Sequence, residues 1–131
     1  MKTIILATHN LDKLKEIEEV FKNIPVNLKS LFDFPEIPEI VEDGNTLEEN
    51  ALIKARKIFR ATNIPALADD TGLEVFCLNM APGVFSARYA GEKASYLENN
   101  RKLLEELKSV PVNNRGARFR TVAAFVGENF E

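Results

Sequence analysis

A chain of 131 residues, of which 45% are hydrophobic and 28% charged, has the size and composition of one globular domain with its own core. Its 20 acidic and 17 basic residues give a formal net charge of −3 without any basic block, which argues against nucleic acid or a membrane surface as a partner. The single cysteine excludes an internal disulfide, and no apolar run approaches the roughly 18 residues of a membrane span, so the expected compartment is the cytoplasm.

The first third of the chain is predicted to contain a strand, a helix and a second strand. Residues 2–7 form a short apolar run, and Asn10 is a suitable N-cap for a helix whose apolar residues recur at helical spacing as far as Phe21. Residues 26–31 alternate as a strand, and residues 32–41, which contain two prolines, are predicted to form a loop.

A second helix is predicted to begin at a capping box, with Thr46 as N-cap and Glu49 as its partner three residues later. Its apolar stripe consists of Leu47, Ala51, Ala55, Ile58 and Phe59. Pro65 blocks continuation of this helix. Residues 66–68 then form a short apolar strand, and residues 73–78 are predicted to form another, with a polar segment between the two.

The last third is predicted to contain a short helical turn over residues 84–91, a helix over residues 95–108 and a strong strand over residues 117–126. The leucines expected on the inner side of the helix are Leu97, Leu103, Leu104 and Leu107. A turn at residues 127–129 implies a returning strand, because an unpaired strand edge is an aggregation hazard, so we expect the sequence to lack a C-terminal portion. The alternation of strands and helices predicts an α/β fold in which helices cover a sheet.

The run Thr8-His9-Asn10-Leu11-Asp12-Lys13 follows the first strand and opens the first helix. Backbone N–H groups at a helix start, the positive end of the helix dipole and a lysine ammonium together favour a phosphate group. The run is not a Walker A loop, because the glycines are absent. Taken alone, it fits an Asn N-cap beside a solvated lysine better than a phosphate site.

The run Asp69-Asp70-Thr71-Gly72 comes immediately after a short apolar strand. Ligands of open α/β sheets gather at the carboxyl ends of strands, where Asp69 and Asp70 would be placed to hold Mg²⁺ and to orient a water molecule. A hard cation of this kind neutralises charge in phosphoryl chemistry. On turn chemistry alone, the run is more often an ordinary turn.

Acidic residues also precede the second helix, in the run Glu42-Asp43-Gly44, and Asn50 and Lys54 follow on that helix. Glu42 is a candidate second carboxylate of a metal site shared with Asp70. Acidic residues ahead of a helix N-terminus more usually serve the helix dipole, and taken separately this run fits that interpretation better.

Further charged residues lie in the second half of the chain. The run Ser86-Ala87-Arg88-Tyr89 places a cation and a phenol in one exposed loop, and Arg118 and Arg120 alternate on the last strand, facing either phosphate or solvent. Neither His9 nor Cys77 has a sequence partner that suggests a nucleophilic triad or a zinc site, and Cys77 is expected in the core.

Four runs of the sequence carry a more specific pattern in their order and spacing. They are Leu6-Ala7-Thr8-His9-Asn10-x-x-Lys13, Glu49-Asn50-Ala51-x-x-Lys54-Ala55, Ala68-Asp69-Asp70-Thr71-Gly72-Leu73-Glu74-Val75 and Ala81-Pro82-Gly83-Val84-x-Ser86-Ala87-Arg88-Tyr89-Ala90-Gly91. From Met1 to about Val126, the chain closely resembles the Ham1/RdgB family of ITP/XTP pyrophosphatases. The resemblance implies a mixed twisted β-sheet flanked by helices, of the ITPase-like and Maf-like kind, in one domain over residues 1–131 whose second lobe is incomplete.

The resemblance also implies an activity and a set of site residues. Members of the family hydrolyse ITP, dITP and XTP to the nucleoside monophosphate and pyrophosphate, with Mg²⁺ as cofactor. Asp70 is the implied proton acceptor and a metal ligand, and Glu42 is the other implied metal-binding carboxylate. Asp69, which directly precedes Asp70, is a further candidate metal ligand. The residues assigned to the substrate are Thr8, His9, Asn10, Leu11, Asp12, Lys13, Lys54, Thr71 and Arg88.

Family members continue for some tens of residues, through motifs that grip the purine and the phosphates, and none of these motifs is present in this chain. Two alternatives stay open: a Maf-like nucleotide pyrophosphatase, which acts on other nucleotides, and a nucleotide-binding or assembly fragment without catalysis. The family also implies a homodimer. Phe76, Met80 and Phe85 would contribute to its interface if exposed, although core packing explains them equally well.

Overall fold

The computed structural model describes residues 1–131. The chain divides into two compact units, of which the first comprises Met1–Asp69 with Ala123–Glu131 and the second comprises Asp70–Val122. None of the helices combines the length and the apolar character that are needed to cross a membrane.

Strands and helices alternate along most of the chain. The strands are β1 (Lys2–Leu6), β2 (Val26–Ser30), β3 (Ala66–Val75), β4 (Pro82–Gly83) and β5 (Ala117–Val126), and the α-helices are α1 (Leu11–Phe21), α2 (Leu47–Thr62) and α3 (Tyr96–Leu107). The strand order is β2-β1-β3-β4, and β5 also pairs with β3. β1 runs parallel to β2 and β3, whereas β4 runs antiparallel to β3. The predicted α/β fold, a mixed twisted sheet flanked by helices, is therefore confirmed.

β1 is the central strand of the first unit. It pairs with β2 along its whole length, and Ile5 and Leu6 at its end pair with Ala66 and Leu67 of β3. Ile5 is 0% and Leu6 is 1% exposed. Because consecutive side chains of a strand point to opposite faces, both faces of β1 are covered. β1 ends at Leu6 while β3 continues to Asp69 and beyond, so the chain after β1 leaves the sheet at this point.

α2 supplies a large part of the core of the first unit. Its buried apolar residues are Leu47, Ala51, Ala55 and Ile58, as the apolar stripe predicted. The hydroxyl of Thr46 accepts a hydrogen bond from the N–H of Glu49 at 3.0 Å, which confirms the N-cap. The Glu49 carboxylate bonds the N–H of Asn45 at 2.6 Å, one residue before the cap, so only half of the predicted capping box forms.

In the second unit, α3 begins at a complete capping box. The N–H of Glu98 donates to the Ser95 hydroxyl at 3.2 Å, and the N–H of Ser95 donates to the Glu98 carboxylate at 3.1 Å. Leu107 is buried, but Leu97 and Leu104 are 58% and 59% exposed. The prediction that both face the core is wrong, because an apolar stripe is buried only where another element of the fold covers it.

β3 also differs from the sequence-based prediction. It is one continuous strand, so Asp69-Asp70-Thr71-Gly72 lies inside a strand and is not a turn between two strands. β3 pairs with β1 near its beginning and with β4 near its end, where Leu73 is paired with Gly83 and Glu74 with Pro82. Sheet pairing at both ends outweighs the local turn preference of the four residues.

Cys77 is exposed, and the expectation that it lies in the core is wrong. The predicted strand over residues 73–78 ends at Val75, and Phe76–Leu78 form a short 3₁₀ turn. Asn79 and Met80 then adopt left-handed backbone conformations with φ of 55° and 68°. Because the chain reverses here, the side chain of Cys77 has no sheet face to pack on.

Candidate functional site

A cavity of about 220 Å³ opens in the first unit where the chain leaves β1. It is lined by Ala7, Thr8, His9, Asn10, Leu31, Glu39, Ile40, Glu42 and Lys54. These residues come from the end of β1, the turn after β2, the loop before α2 and the second turn of α2. The cavity therefore collects polar side chains from segments that are far apart in the sequence.

The segment after β1 has a fixed conformation before α1 begins. The N–H of Asn10 donates to the Thr8 hydroxyl at 3.0 Å, and the Asn10 side-chain oxygen accepts from the N–H groups of Asp12 and Lys13 at 3.0 and 3.2 Å. Asn10 is therefore the N-cap of α1, as predicted. Its side chain satisfies two of the N–H groups that an anion at this helix terminus would otherwise meet.

His9 also lies at the cavity, and its ring meets Phe32 edge to face with the ring centroids 5.9 Å apart. Leu11, Asp12 and Lys13, which were assigned to the substrate with Thr8, are not among the residues that line the cavity. Leu11 is 57% exposed. The structure thus brings only the first half of the Thr8 to Lys13 run to the cavity.

Lys54 joins three separate segments of the first unit. Its ammonium lies 3.0 Å from Oε1 of Glu42 and also donates to the backbone carbonyl of Asp69. The Lys54 side chain is 14% exposed and that of Glu42 is 34% exposed. A half-buried ion pair is screened less than a surface pair, so this contact fixes the loop before α2 to the helix and to β3.

Asp69 is engaged through its side chain as well. Its Oδ2 lies 2.9 Å from the Lys13 ammonium, and the two side chains are 15% and 30% exposed. Both Asp69 and Glu42 were candidates for metal binding, and each is paired with a lysine. Lys13 pairs with Asp69, and Lys54 pairs with Glu42. The two ammonium groups therefore compensate the charges of the two carboxylates.

Asn50 is a functional candidate to which sequence reasoning gave no role. It is 1% exposed, and its side-chain oxygen accepts a hydrogen bond from the N–H of Gly44 at 2.8 Å. Asn50 belongs to the second of the four motif runs, which could have marked it as a candidate. Its contact with Gly44 could not be predicted from the sequence.

The second unit holds Asp70, Thr71 and Arg88. Oδ1 of Asp70 accepts from the N–H of Thr71 at 3.1 Å, and the Thr71 hydroxyl lies 2.8 Å from that of Thr121. The Arg88 guanidinium lies over the Phe85 ring, 5.1 Å from its centroid. Each of the three predicted residues therefore makes a defined contact within the second unit.

The turn that carries Arg88, Ser86–Arg88, is tied to neighbouring elements of its unit. Ser86 accepts from the N–H of Leu73 at 2.9 Å and donates to the carbonyl of Gly83 at 2.6 Å. On the other side, Tyr89 donates to the Glu106 carboxylate of α3. Burial, together with the hydrogen bond and charge of Glu106, raises the pKa of Tyr89 to about 12.

The arginines of β5 contact an acidic residue of β3. The guanidinium of Arg118 lies 2.6 Å and that of Arg120 lies 3.7 Å from the carboxylate of Glu74. The sequence left their orientation open between phosphate and solvent. In the structure, both face a carboxylate across the β3 and β5 pair.

The structure contains no group of three or more His, Cys, Asp or Glu side chains arranged to hold a metal ion. Mg²⁺ is usually bound by only one or two carboxylates together with phosphate oxygens of the substrate and water. The carboxylate oxygens of Glu42 and Asp69 are hard donors of this kind, so the chemistry of the donors present fits Mg²⁺.

Comparison with known proteins assigns the chain to a family. The model of the Ham1 family matches residues 4–131. The chain belongs to the Ham1 family. The Maf-like alternative is therefore not favoured.

Among curated Ham1 relatives, the dITP/XTP pyrophosphatase of Geobacter sulfurreducens is 52% identical over 124 residues, which are 95% of this chain and 62% of the relative. The dITP/XTP pyrophosphatase of Bacillus cereus is 46% identical over 91% of this chain and 58% of its own length. The Ham1 chain thus spans about 60% of the length of these curated relatives.

Solved structures agree with this assignment. A HAM1 protein from Coxiella burnetii has a TM-score of 0.87 and 43% identity, with 95% of this chain and 63% of the other chain covered. The Ham1 protein of Staphylococcus aureus has a TM-score of 0.86 and 36% identity, with coverages of 99% and 66%. The fold predicted by resemblance is therefore also that of solved members of the Ham1 family.

Proposed function

We propose that this Ham1 chain belongs to an enzyme that hydrolyses ITP, dITP and XTP to the nucleoside monophosphate and pyrophosphate. The observation that carries the proposal is the cavity after β1, which is lined by Lys54, Glu42 and Asn10, the N-cap of α1. The names of the relatives, dITP/XTP pyrophosphatase, support the substrate class. Removal of such triphosphates from the nucleotide pool would be the role of the reaction.

The triphosphate is proposed to bind along the segment from Thr8 to Lys13, with Lys54 as a second source of positive charge. Thr8 and Asn10 line the cavity, and the hydrogen bonds of their side chains hold the start of α1 beside it. The ammonium of Lys13 is close by in sequence but is paired with Asp69. We assign Thr71 and Arg88 of the second unit to the substrate as well.

Binding of substrate is proposed to involve an exchange of ion-pair partners. Lys13 and Lys54 each neutralise a carboxylate, so a triphosphate that takes up these ammonium groups leaves Asp69 and Glu42 with uncompensated negative charge. Two such carboxylates attract a divalent cation more strongly than the paired ones do. Cation and triphosphate should therefore bind with positive coupling, each raising the affinity of the other.

Mg²⁺ is the proposed cofactor, held by Glu42 and Asp70 with Asp69 as a further candidate. When bound, it would neutralise charge on the phosphate oxygens. Asp70 is proposed to accept a proton from the water that attacks the α-phosphorus, while pyrophosphate leaves. The N–H of Thr71 donates to Oδ1 of Asp70 and so helps to orient the carboxylate.

A homodimer in the cytoplasm is the proposed state of the enzyme. Phe76, Met80 and Phe85 of the second unit are 49%, 43% and 50% exposed, which makes them available for an interface. Nucleoside triphosphates are intracellular metabolites, so a cytoplasmic location suits the proposed substrate. Neither nucleic acid nor a membrane is proposed as a partner.

The proposal is tested by pyrophosphate release from dITP and from dGTP, with Mg²⁺ or with EDTA. Because the curated relatives are longer, the assay should compare the chain alone with a chimera in which the unmatched part of the Geobacter sulfurreducens relative follows Glu131. Mg²⁺-dependent release that favours dITP is expected. Release of inorganic phosphate in place of pyrophosphate, or equal rates with dGTP, would contradict the proposal.

Calorimetric titration of the chain alone with dITP and Mg²⁺ addresses the second alternative. If dITP binds and neither the chain nor the chimera releases pyrophosphate, a nucleotide-binding function without catalysis is the better description. Arg60→Ala, on the far end of α2 and exposed, serves as a control for unspecific charge effects in both assays.

A further inference from the structure

The acidic run before α2 is held in place by a buried amide. Asn50 is 1% exposed, and its side-chain oxygen accepts a hydrogen bond of 2.8 Å from the backbone N–H of Gly44. Breaking such a bond leaves a buried acceptor and a backbone donor unsatisfied. The backbone at Gly44 therefore cannot move away from α2 without losing this pair.

The approach of Gly44 to α2 is too close for any side chain. A Cβ atom at this position would lie 2.6 Å from the side-chain oxygen of Asn50 and 2.7 Å from the Cβ of Glu49. The next N–H, that of Asn45, is bonded to the Glu49 carboxylate at 2.6 Å. Two successive backbone N–H groups are thus bound by side chains of the first turn of the helix.

Asn50 and Lys54 are four residues apart and so lie on the same side of α2. Asn50 binds the backbone of Gly44, and Lys54 binds the carboxylate of Glu42, two residues earlier. Glu42 and Lys54 line the cavity, whereas Asn50 is not among the lining residues. One side of the helix therefore fixes both the backbone and the charged group of the acidic run.

We propose that Asn50 is a positioning residue that holds the Glu42 carboxylate at the cavity, in contact with Lys54. The placement follows from the hydrogen bonds alone. Its consequence for cation binding rests on the function proposed above. Asn50 itself touches neither substrate nor cation, and it acts through the position of Glu42.

Three variants separate positioning from general stability. Asn50→Ala removes the acceptor for Gly44, Asn50→Asp keeps an oxygen acceptor at the same place, and Ile58→Val perturbs a buried site on the same helix without touching the acidic run. Circular dichroism and thermal unfolding establish that each variant is folded. The carboxyl ¹³C chemical shift of Glu42 then reports its contact with Lys54, and Mn²⁺ titration reports cation affinity.

We expect the Glu42 signal to shift in Asn50→Ala as it does in Lys54→Met, and to stay in place in Asn50→Asp and Ile58→Val. In the presence of pyrophosphate, Mn²⁺ affinity should fall roughly tenfold or more in Asn50→Ala, which is typical for loss of a residue that orients a metal ligand. Asn50→Asp should restore most of that affinity.

An unchanged Glu42 signal in folded Asn50→Ala would overturn the positioning role, whatever the cation does. A shifted signal with unchanged Mn²⁺ affinity would overturn its consequence for the cation. If the unmodified chain binds no Mn²⁺ with pyrophosphate present, the proposed metal function is wrong, and the Glu42 signal still decides whether Asn50 positions the carboxylate.

Discussion

Lys54 and Glu42 form an ion pair with the ammonium nitrogen 3.0 Å from the carboxylate oxygen, at the cavity where β1 ends. The same ammonium donates to the carbonyl of Asp69 in β3. An ammonium has three N–H donors, so one donor remains for an anionic ligand beside these two contacts. Such a ligand would share the lysine charge with Glu42, and we therefore expect the affinity for phosphate groups to depend on the affinity for a cation.

Lys54→Met should change the two affinities in opposite directions. Loss of a charge-assisted hydrogen bond, about 1.5–3 kcal/mol, should weaken pyrophosphate binding roughly 10- to 100-fold. Mn²⁺ alone should bind more tightly, because Glu42 no longer has an ammonium beside it. Both constants are measured by isothermal titration calorimetry.

Lys57→Met is the matched control, since Lys57 is exposed on the same helix. It should leave both affinities nearly unchanged. A Lys54→Met variant that binds Mn²⁺ and pyrophosphate as the unmodified chain does would show that the ion pair is not coupled to ligand binding.

Asp70→Asn should abolish turnover while preserving the fold. Removal of a general base typically lowers kcat by roughly 100- to 10,000-fold, and the amide is similar in size to the carboxylate. The rate of pyrophosphate release is measured in the chain or in the chimera described above, whichever is active. Unfolding curves establish that the variant is folded. Asp43→Asn, at an exposed position next to Glu42, should retain most of the activity. Near-normal turnover by Asp70→Asn would rule out Asp70 as the base.

The capping box of α3 should make stability depend on pH. The hydrogen bonds from Ser95, first from its backbone N–H, lower the pKa of Glu98 below its ordinary value. A lowered pKa in the folded state gives stability that is present above the ordinary glutamate pKa and is lost as the pH falls through the lowered pKa. Glu98→Gln should therefore be less stable than the unmodified chain at neutral pH, with the difference disappearing in acid.

Thermal unfolding of both proteins over a series of pH values measures this difference. Glu36→Gln, in the exposed loop before α2, is the control and should show no such dependence. A stability difference for Glu98→Gln that stays constant into acid would mean that the capping box does not depend on the ionised carboxylate.

Tyr89 should ionise at unusually high pH. Burial, followed by the hydrogen bond to Glu106 and its charge, raises the pKa of Tyr89 to about 12. The stability associated with this proton is present below the ordinary tyrosine pKa and is lost as the pH rises toward 12. Tyrosinate absorbance measures the titration directly.

The chain has two tyrosines, so single variants resolve their titrations. Tyr96→Phe should leave only the transition near pH 12, and Tyr89→Phe should remove that transition. If the tyrosine that remains in Tyr96→Phe ionised at its ordinary pH, the contact between Tyr89 and Glu106 would not exist in solution.

Features that depend on neighbouring residues were predicted well from the sequence. Asn10 and Thr46 are the N-caps of α1 and α2, as predicted, because a cap is decided by a side chain and the N–H groups two or three residues away. The buried stripe of α2 and the bounds of β5 were also predicted, since their periodicity is contained in one element. The roles of the site residues stay predictions that the variants above would test.

Features that depend on distant partners were predicted poorly. The leucines of α3 have the spacing of a buried stripe, but Leu97 and Leu104 are exposed, because periodicity does not say whether another element covers the face. In the same way, α1 has an apolar face and yet contains no buried residue. Cys77 was placed in the core because a strand was expected where the chain in fact turns.

For the candidate site, the amino-acid sequence shows which chemical groups are present: two lysines, an asparagine cap and three acidic residues, in runs that resemble those of the Ham1 family. The contacts between these groups are visible only in the folded chain, where Lys54 contacts both Glu42 and Asp69, Lys13 pairs with Asp69, and Asn50 binds Gly44. Caps and periodicities arise from interactions over a few residues, which a sequence contains. Ion pairs and buried hydrogen bonds between separate segments arise from sheet pairing and burial, which are properties of the whole fold.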